Sequence, residues 1–79
     1  MELKMIKYSE RNFLSSNQFK EYMIDDCIKR GKKFNIQPWE LTRCRIGIKR
    51  FVKLLEETYD ANLIWTYDNK QDMYFLEWL

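Results

Sequence analysis

Histidine is absent from this chain, and cysteine occurs only at Cys27 and Cys44. The commonest general base is therefore missing, and two cysteines without a Cys-x-x-Cys pair cannot supply a four-ligand zinc site. A serine or cysteine nucleophile would need lysine or a carboxylate as its base, and no spacing in the sequence sets one beside the other. Two acidic pairs occur, Asp25-Asp26 and Glu56-Glu57. Adjacent residues on a helix point about 100° apart, so these pairs read as solvated charge rather than as an acid–base couple. Gly31 and Gly47 are the only glycines, too few and too far apart for a loop that cradles phosphate. The chemistry that remains is recognition: the sequence predicts a binding protein, not an enzyme, with no cofactor and no metal.

Charge gives that recognition a location. Residues 29–53 hold Lys29, Arg30, Lys32, Lys33, Arg43, Arg45, Lys49, Arg50 and Lys53 against Glu40 alone, although the whole chain carries only +2. The rest of the chain is therefore net acidic, and the asymmetry favours an anionic partner, either an acidic protein surface or nucleic acid. A helix whose solvent face merely happens to be basic would have the same composition. Within this region Trp39 and Ile46 lie nearly opposite the apolar stripe of the expected helix, with Leu54 at its flank, and they alternate with Arg43 and Arg50. Trp and Arg are the residue types that dominate binding hot spots. The candidate partner-binding residues are Trp39, Arg43, Ile46, Arg50 and Lys53, with Lys29, Arg30, Lys32 and Lys33 as a secondary basic patch. The competing reading is intramolecular: the amino-terminal segment or the first helix covers Trp39 and makes this a second core face.

The elements that must position these residues can be read from periodicity. Residues 2–8 suit a strand, with Leu3 and Met5 on one face and Ile6 and Tyr8 on the other. Ser15 and Gln18 fit a capping box, and Leu14 and Phe19 a hydrophobic staple. Apolar residues then recur from Phe19 to Ile28, and Gly31 stands where a left-handed cap is wanted, which predicts a helix over 16–30. Residues 32–37 form a connector, extended around Phe34 and Ile36. Pro38 suits the first position of a second helix. Leu41, Cys44, Ile48, Phe51, Leu55 and Tyr59 make a continuous apolar stripe, so that helix is expected to run unbroken over 38–59. Gly47 weakens its interior by up to about 1 kcal/mol, and close approach of another backbone would account for it. After Asp60 the pattern alternates. A hairpin is expected, with a strand around 63–67, a turn over 68–71 and a return strand over 73–79.

The return strand is apolar on both faces, which places it in the middle of a three-stranded antiparallel sheet with residues 2–8 on its free edge. The expected fold is α+β, one domain over residues 1–79 in the order β-α-α-β-β, with two helices packed on the sheet. Thirteen aromatic residues in 79 can supply a core without staples, because each buries roughly 150 to 250 Å². Cys27 and Cys44 both fall on apolar helix faces and are expected to be buried, reduced thiols.

No run of about 18 apolar residues suggests a membrane span, and the amino terminus lacks the apolar stretch of a signal peptide, so a cytoplasmic protein is expected. In size and in its use of Lys, Ile and Asn the chain resembles the small stand-alone proteins that bacteriophages of low-GC hosts make to bind and inhibit or redirect a host machine. The resemblance implies a target such as RNA polymerase, a replication or division component, or a chaperone–protease complex. It carries no motif and assigns no residue, and a small bacterial regulator or adaptor has the same features. A protein-interaction module is the expected function. The alternative is a small nucleic-acid-binding protein using the basic 29–53 region. The connector between the helices is too long for a helix-turn-helix.

Overall fold

Ser15 opens the first helix by the reciprocal bonds its sequence promised: its hydroxyl accepts the Gln18 N–H at 3.1 Å, and the Gln18 side chain accepts the Ser15 N–H at 2.9 Å. Helix α1 runs over Ser16–Lys29 in a computed structural model that describes residues 14–79. The strand expected over residues 2–8 lies outside the described residues. Phe19, Met23 and Cys27 recur every four positions and form the buried face of α1. Ile28, expected on the same stripe, is instead 44% exposed. Gly31 follows with φ +101°, a left-handed conformation that suits glycine.

Strand β1, Lys33–Ile36, occupies the connector, with Phe34 and Ile36 buried and Lys33 and Asn35 exposed. The chain then makes helix α2 over Pro38–Cys44, helix α3 over Ile48–Tyr59, and the hairpin strands β2, Leu63–Asp68, and β3, Met73–Trp78. The sheet is antiparallel with the order β1-β3-β2. The expected α+β architecture and the central position of the last strand are both present. The edge position expected for residues 2–8 is filled by β1, because Phe34 and Ile36 alternate inward and pair with Leu76 and Tyr74.

The single helix expected over 38–59 is two helices. Arg45 adopts φ 55°, ψ 45°, and its N–H bonds the Thr42 carbonyl at 3.0 Å while the Ile46 N–H reaches the Leu41 carbonyl at 3.2 Å. This pair of bonds is a Schellman termination with Arg45 in the left-handed position. Gly47, extended at φ −83°, ψ 165°, then starts α3 as its N-cap. Among the described residues nothing lies within 4 Å of where a Cβ at Gly47 would stand, so none of their backbone approaches it, and its glycine is explained by the N-cap position. The stripe disguised the break because Cys44 and Ile48 are four apart, the helical spacing, while the chain between them turns.

Packing closes around Phe51, Met23, Ile36, Leu55 and Cys27, all fully buried, with Leu41, Cys44, Val52, Leu63 and Leu76 beside them. Polar bonds at the rim of this core also tie α3 to α1 and to β2. The Tyr59 hydroxyl donates to the Ile24 carbonyl at 2.8 Å, and Glu56 accepts the Leu63 N–H at 2.9 Å. On the opposite face of the sheet Ile64 is 52% and Phe75 37% exposed.

Candidate interaction surface

The basic stretch is divided by the fold. Arg30, which follows the last residue of α1, is drawn inward: its Nε donates to Asp26 Oδ2 at 2.8 Å, one Nη to the Asn35 carbonyl at 2.8 Å and the other to Glu40 Oε1 at 2.9 Å. Glu40 is buried, and its second oxygen accepts the Gln37 N–H at 2.8 Å, which closes the capping box of α2. Arg30 thus joins α1, β1 and α2. Lys29 pairs with Asp25 at 3.1 Å on an exposed turn. Of the secondary basic patch, Lys29 and Arg30 are neutralised by their own helix, and Lys32 and Lys33 remain exposed. Lys33 stands opposite Glu77 in the β1–β3 register.

The five candidate partner-binding residues are also separated. Trp39, in the first turn of α2, is 53% exposed. Its indole N–H donates to Gln37 Oε1 at 2.8 Å, and its ring lies 6.2 Å from that of Phe19. Arg43, one turn on, sits with its guanidinium carbon 5.0 Å from the centre of the Phe19 ring and donates to the Leu14 carbonyl at 2.8 Å. It fastens α2 to the start of α1. Ile46, following the left-handed Arg45, packs against the core. Arg50 and Lys53 are exposed on α3. The two readings of this region are therefore both partly realised: α1 does cover Arg43 and one side of Trp39, while the rest of Trp39 faces solvent.

The break between α2 and α3 leaves Arg45 at the end of one helix and Lys49, Arg50 and Lys53 on the next. Arg45 shares an open hollow with Trp39, Thr42, Arg43, Leu14 and Ser15. Next along the chain, Lys49, Arg50 and Lys53 lie on the first turns of α3, all exposed. None of Arg45, Lys49, Arg50 and Lys53 forms an ion pair among the described residues. The first turn of α3 has no acidic residue, and its N-cap has no side-chain hydrogen bond. Cations at the positive end of a helix dipole oppose it by roughly 0.3 to 1 kcal/mol each at low salt. The fold tolerates this cluster at a cost in stability. Arg45 and Lys49 were missed as site residues, although with Lys53 they recur at steps of four and would share one face even of a continuous helix. Gly47 was the one signal of a break.

The two thiols offer no chemistry to this surface. Cys27 and Cys44 are free and buried, and burial pushes them up from 9.0 to about 12 and about 11 respectively, so both are protonated at neutral pH. Among the described residues no group of three or more His, Cys, Asp or Glu could hold a metal ion, and no helix is long and apolar enough to cross a membrane. Comparison with known proteins returned no match to a family model, to a curated protein or to a solved structure.

Proposed function

We propose that this domain acts by binding rather than by catalysis, and that it binds a protein partner with an acidic surface through Arg45, Lys49, Arg50 and Lys53, with Trp39 as the apolar anchor beside them. The observation that carries this reading is that Arg45, Lys49, Arg50 and Lys53, just before and along the first turns of α3, are all exposed and form no ion pair among the described residues. A local arrangement that opposes stability is what a functional surface is expected to contain. An anionic partner would relieve the repulsion on binding.

A protein is favoured over nucleic acid by the extent of the surface. On α3 the cations span only Lys49 to Lys53, about 6 Å along the helix axis, and Glu57 and Asp60 follow within two turns. A compact acidic patch matches that footprint better than a line of phosphates, and Trp39 with its side chain fixed by Gln37 and Phe19 is preorganised as a hot-spot anchor. The resemblance to small phage proteins makes a bacterial lysate the first source of the partner.

The test is affinity capture from nuclease-treated lysate with the wild-type domain and with a Lys49→Glu/Arg50→Glu/Lys53→Glu variant. One stoichiometric protein held by the wild type and released by the folded variant supports the reading. Random duplex DNA bound by the wild type, with each cation removed lowering the salt slope by about one, would replace it with nucleic-acid binding. Equal capture by both forms would move the site off α3.

A further inference from the structure

The two edges of the sheet are not equivalent. In β3 the Trp78 N–H bonds the Lys32 carbonyl at 2.9 Å, and the Leu79 N–H bonds the Asn62 carbonyl at 2.9 Å. With the register Ile64↔Glu77 and Phe34↔Leu76, the antiparallel alternation makes Ile64, Thr66 and Asp68 the residues of β2 that bond β3. Leu63, Trp65 and Tyr67 therefore turn their backbone groups to the outer edge. The same alternation turns Lys33 and Asn35 outward on β1, where Arg30 already bonds the Asn35 carbonyl. On β2 the Leu63 N–H is taken by Glu56, but no backbone partner among the described residues meets Trp65 or Tyr67.

This edge also lacks the devices that protect edges. Its sequence, Leu-Ile-Trp-Thr-Tyr-Asp, has no proline, no lysine and no charge before its last residue, and its register with β3 is regular, without a bulge. It is, moreover, complementary to itself. A two-fold axis at Trp65 sets Trp65 beside the partner's Trp65, Ile64 opposite the partner's Thr66, and Tyr67 opposite the partner's Leu63. Asp68, the only charge in β2, then meets the partner's Asn62 and no like charge. The same axis brings the turn that carries Lys70 toward the α3–β2 corner that carries Asp60. Trp65 already contacts Tyr74 edge-on, with centroids 5.8 Å apart, so the pairing would continue an aromatic row across both copies.

We propose that β2 pairs antiparallel with β2 of a second copy of this chain, making one six-stranded sheet. The two Trp65 residues exchange their backbone bonds, and each Tyr67 N–H donates to the partner's Leu63 carbonyl, while Leu63 keeps its bond to Glu56. This interface is separate from the basic surface of α3 and does not rest on the function proposed for it.

The experiment measures mass by light scattering, and amide exchange by NMR, across a concentration series. A dimer is expected, with protection of the Trp65 and Tyr67 amides that rises as dimer forms. Tyr67→Pro removes an outward N–H and no bond to β3, so it should weaken dimerisation by at least about tenfold. Ile64→Lys/Thr66→Lys, at two exposed positions, should do the same by setting lysine against lysine, and decides the matter if the proline variant does not fold. A monomer at every concentration overturns the proposal, whether or not these amides are protected. A dimer in which they exchange freely, or which survives Ile64→Lys/Thr66→Lys, overturns it as well.

Discussion

Arg30 Nη2 lies 2.9 Å from Glu40 Oε1, and this contact binds the end of α1 to the beginning of α2 across ten positions of sequence. Glu40 uses its other oxygen for the Gln37 N–H, so the same carboxylate both caps α2 and anchors Arg30. Arg30, in the basic stretch of the sequence, thereby has partners that are structural, as Arg43 does.

Arg30→Ala should consequently cost stability out of proportion to a surface arginine. It leaves Glu40 buried with one partner fewer and frees the Asn35 carbonyl and Asp26. The expected loss is about 2 to 3 kcal/mol, below the range for a fully buried pair because 24% of the Arg30 side chain remains exposed. Urea denaturation reads this as a lower midpoint at unchanged slope. A change under about 0.5 kcal/mol, typical of a surface ion pair, would contradict the role.

Phe51→Ala and Leu55→Ala each remove a fully buried side chain where α3 meets the sheet. Truncations of this kind cost roughly 2 to 5 kcal/mol, comparable with the whole stability of a small domain. Both variants should be largely unfolded at room temperature by circular dichroism. A melting point within a few degrees of wild type would place that face of α3 outside the core.

Gly47→Asp should separate stability from binding. The glycine has ordinary backbone angles and open space around its Cα among the described residues, so the substitution meets no clash with them. Aspartate supplies the missing N-cap acceptor and a favourable charge at the helix start, worth about 1 kcal/mol together. The melting temperature should rise. Affinity for an acidic partner should fall, since the new carboxylate stands among Arg45, Lys49 and Arg50. A stabilised variant that binds as well as wild type would disconnect this surface from recognition.

Trp39 and Arg43, adjacent in the sequence pattern, should now behave differently. Trp39→Ala is expected to retain the fold and weaken partner binding by about 2 kcal/mol or more. Arg43→Ala should lower stability by about 1 to 2 kcal/mol, because it removes the bond to Leu14 and the contact over Phe19. Thermal melts and titration calorimetry on the two variants separate these outcomes.

The buried thiols make alkaline stability a further test. Both are raised above the ordinary 9.0 by burial, so the unfolded chain loses their protons first. Their contribution is fully present below pH 9 and is lost as pH rises through about 11 and about 12, at up to about 1.4 kcal/mol per pH unit for each thiol. Cys44→Ala should show a shallower decline of stability over this window in urea titrations. Native protein at pH 8 should react with a thiol reagent many times more slowly than unfolded protein.

Local sequence determined the features that depend on neighbours along the chain. The capping box of Ser15 and Gln18, the glycine cap after α1, the helix start at Pro38 and the alternating hairpin strands all follow from contacts within a few residues, and all are present. The central position of β3 was legible too, since apolar residues on both of its faces suit the middle of a sheet better than a solvated edge. Tertiary structure decided what a periodic pattern cannot express. A stripe continues in register across Cys44 and Ile48 whether or not the chain turns between them, so the break at Arg45 was signalled by Gly47 alone. Four inward-alternating residues, Lys33–Ile36, were too short a signal to claim the sheet edge until β3 offered its hydrogen bonds. Arg30 and Arg43 were indistinguishable in sequence from the free cations around them, since whether a charge is spent inside the fold depends on where Glu40, Asn35, Leu14 and Phe19 arrive from elsewhere in the chain.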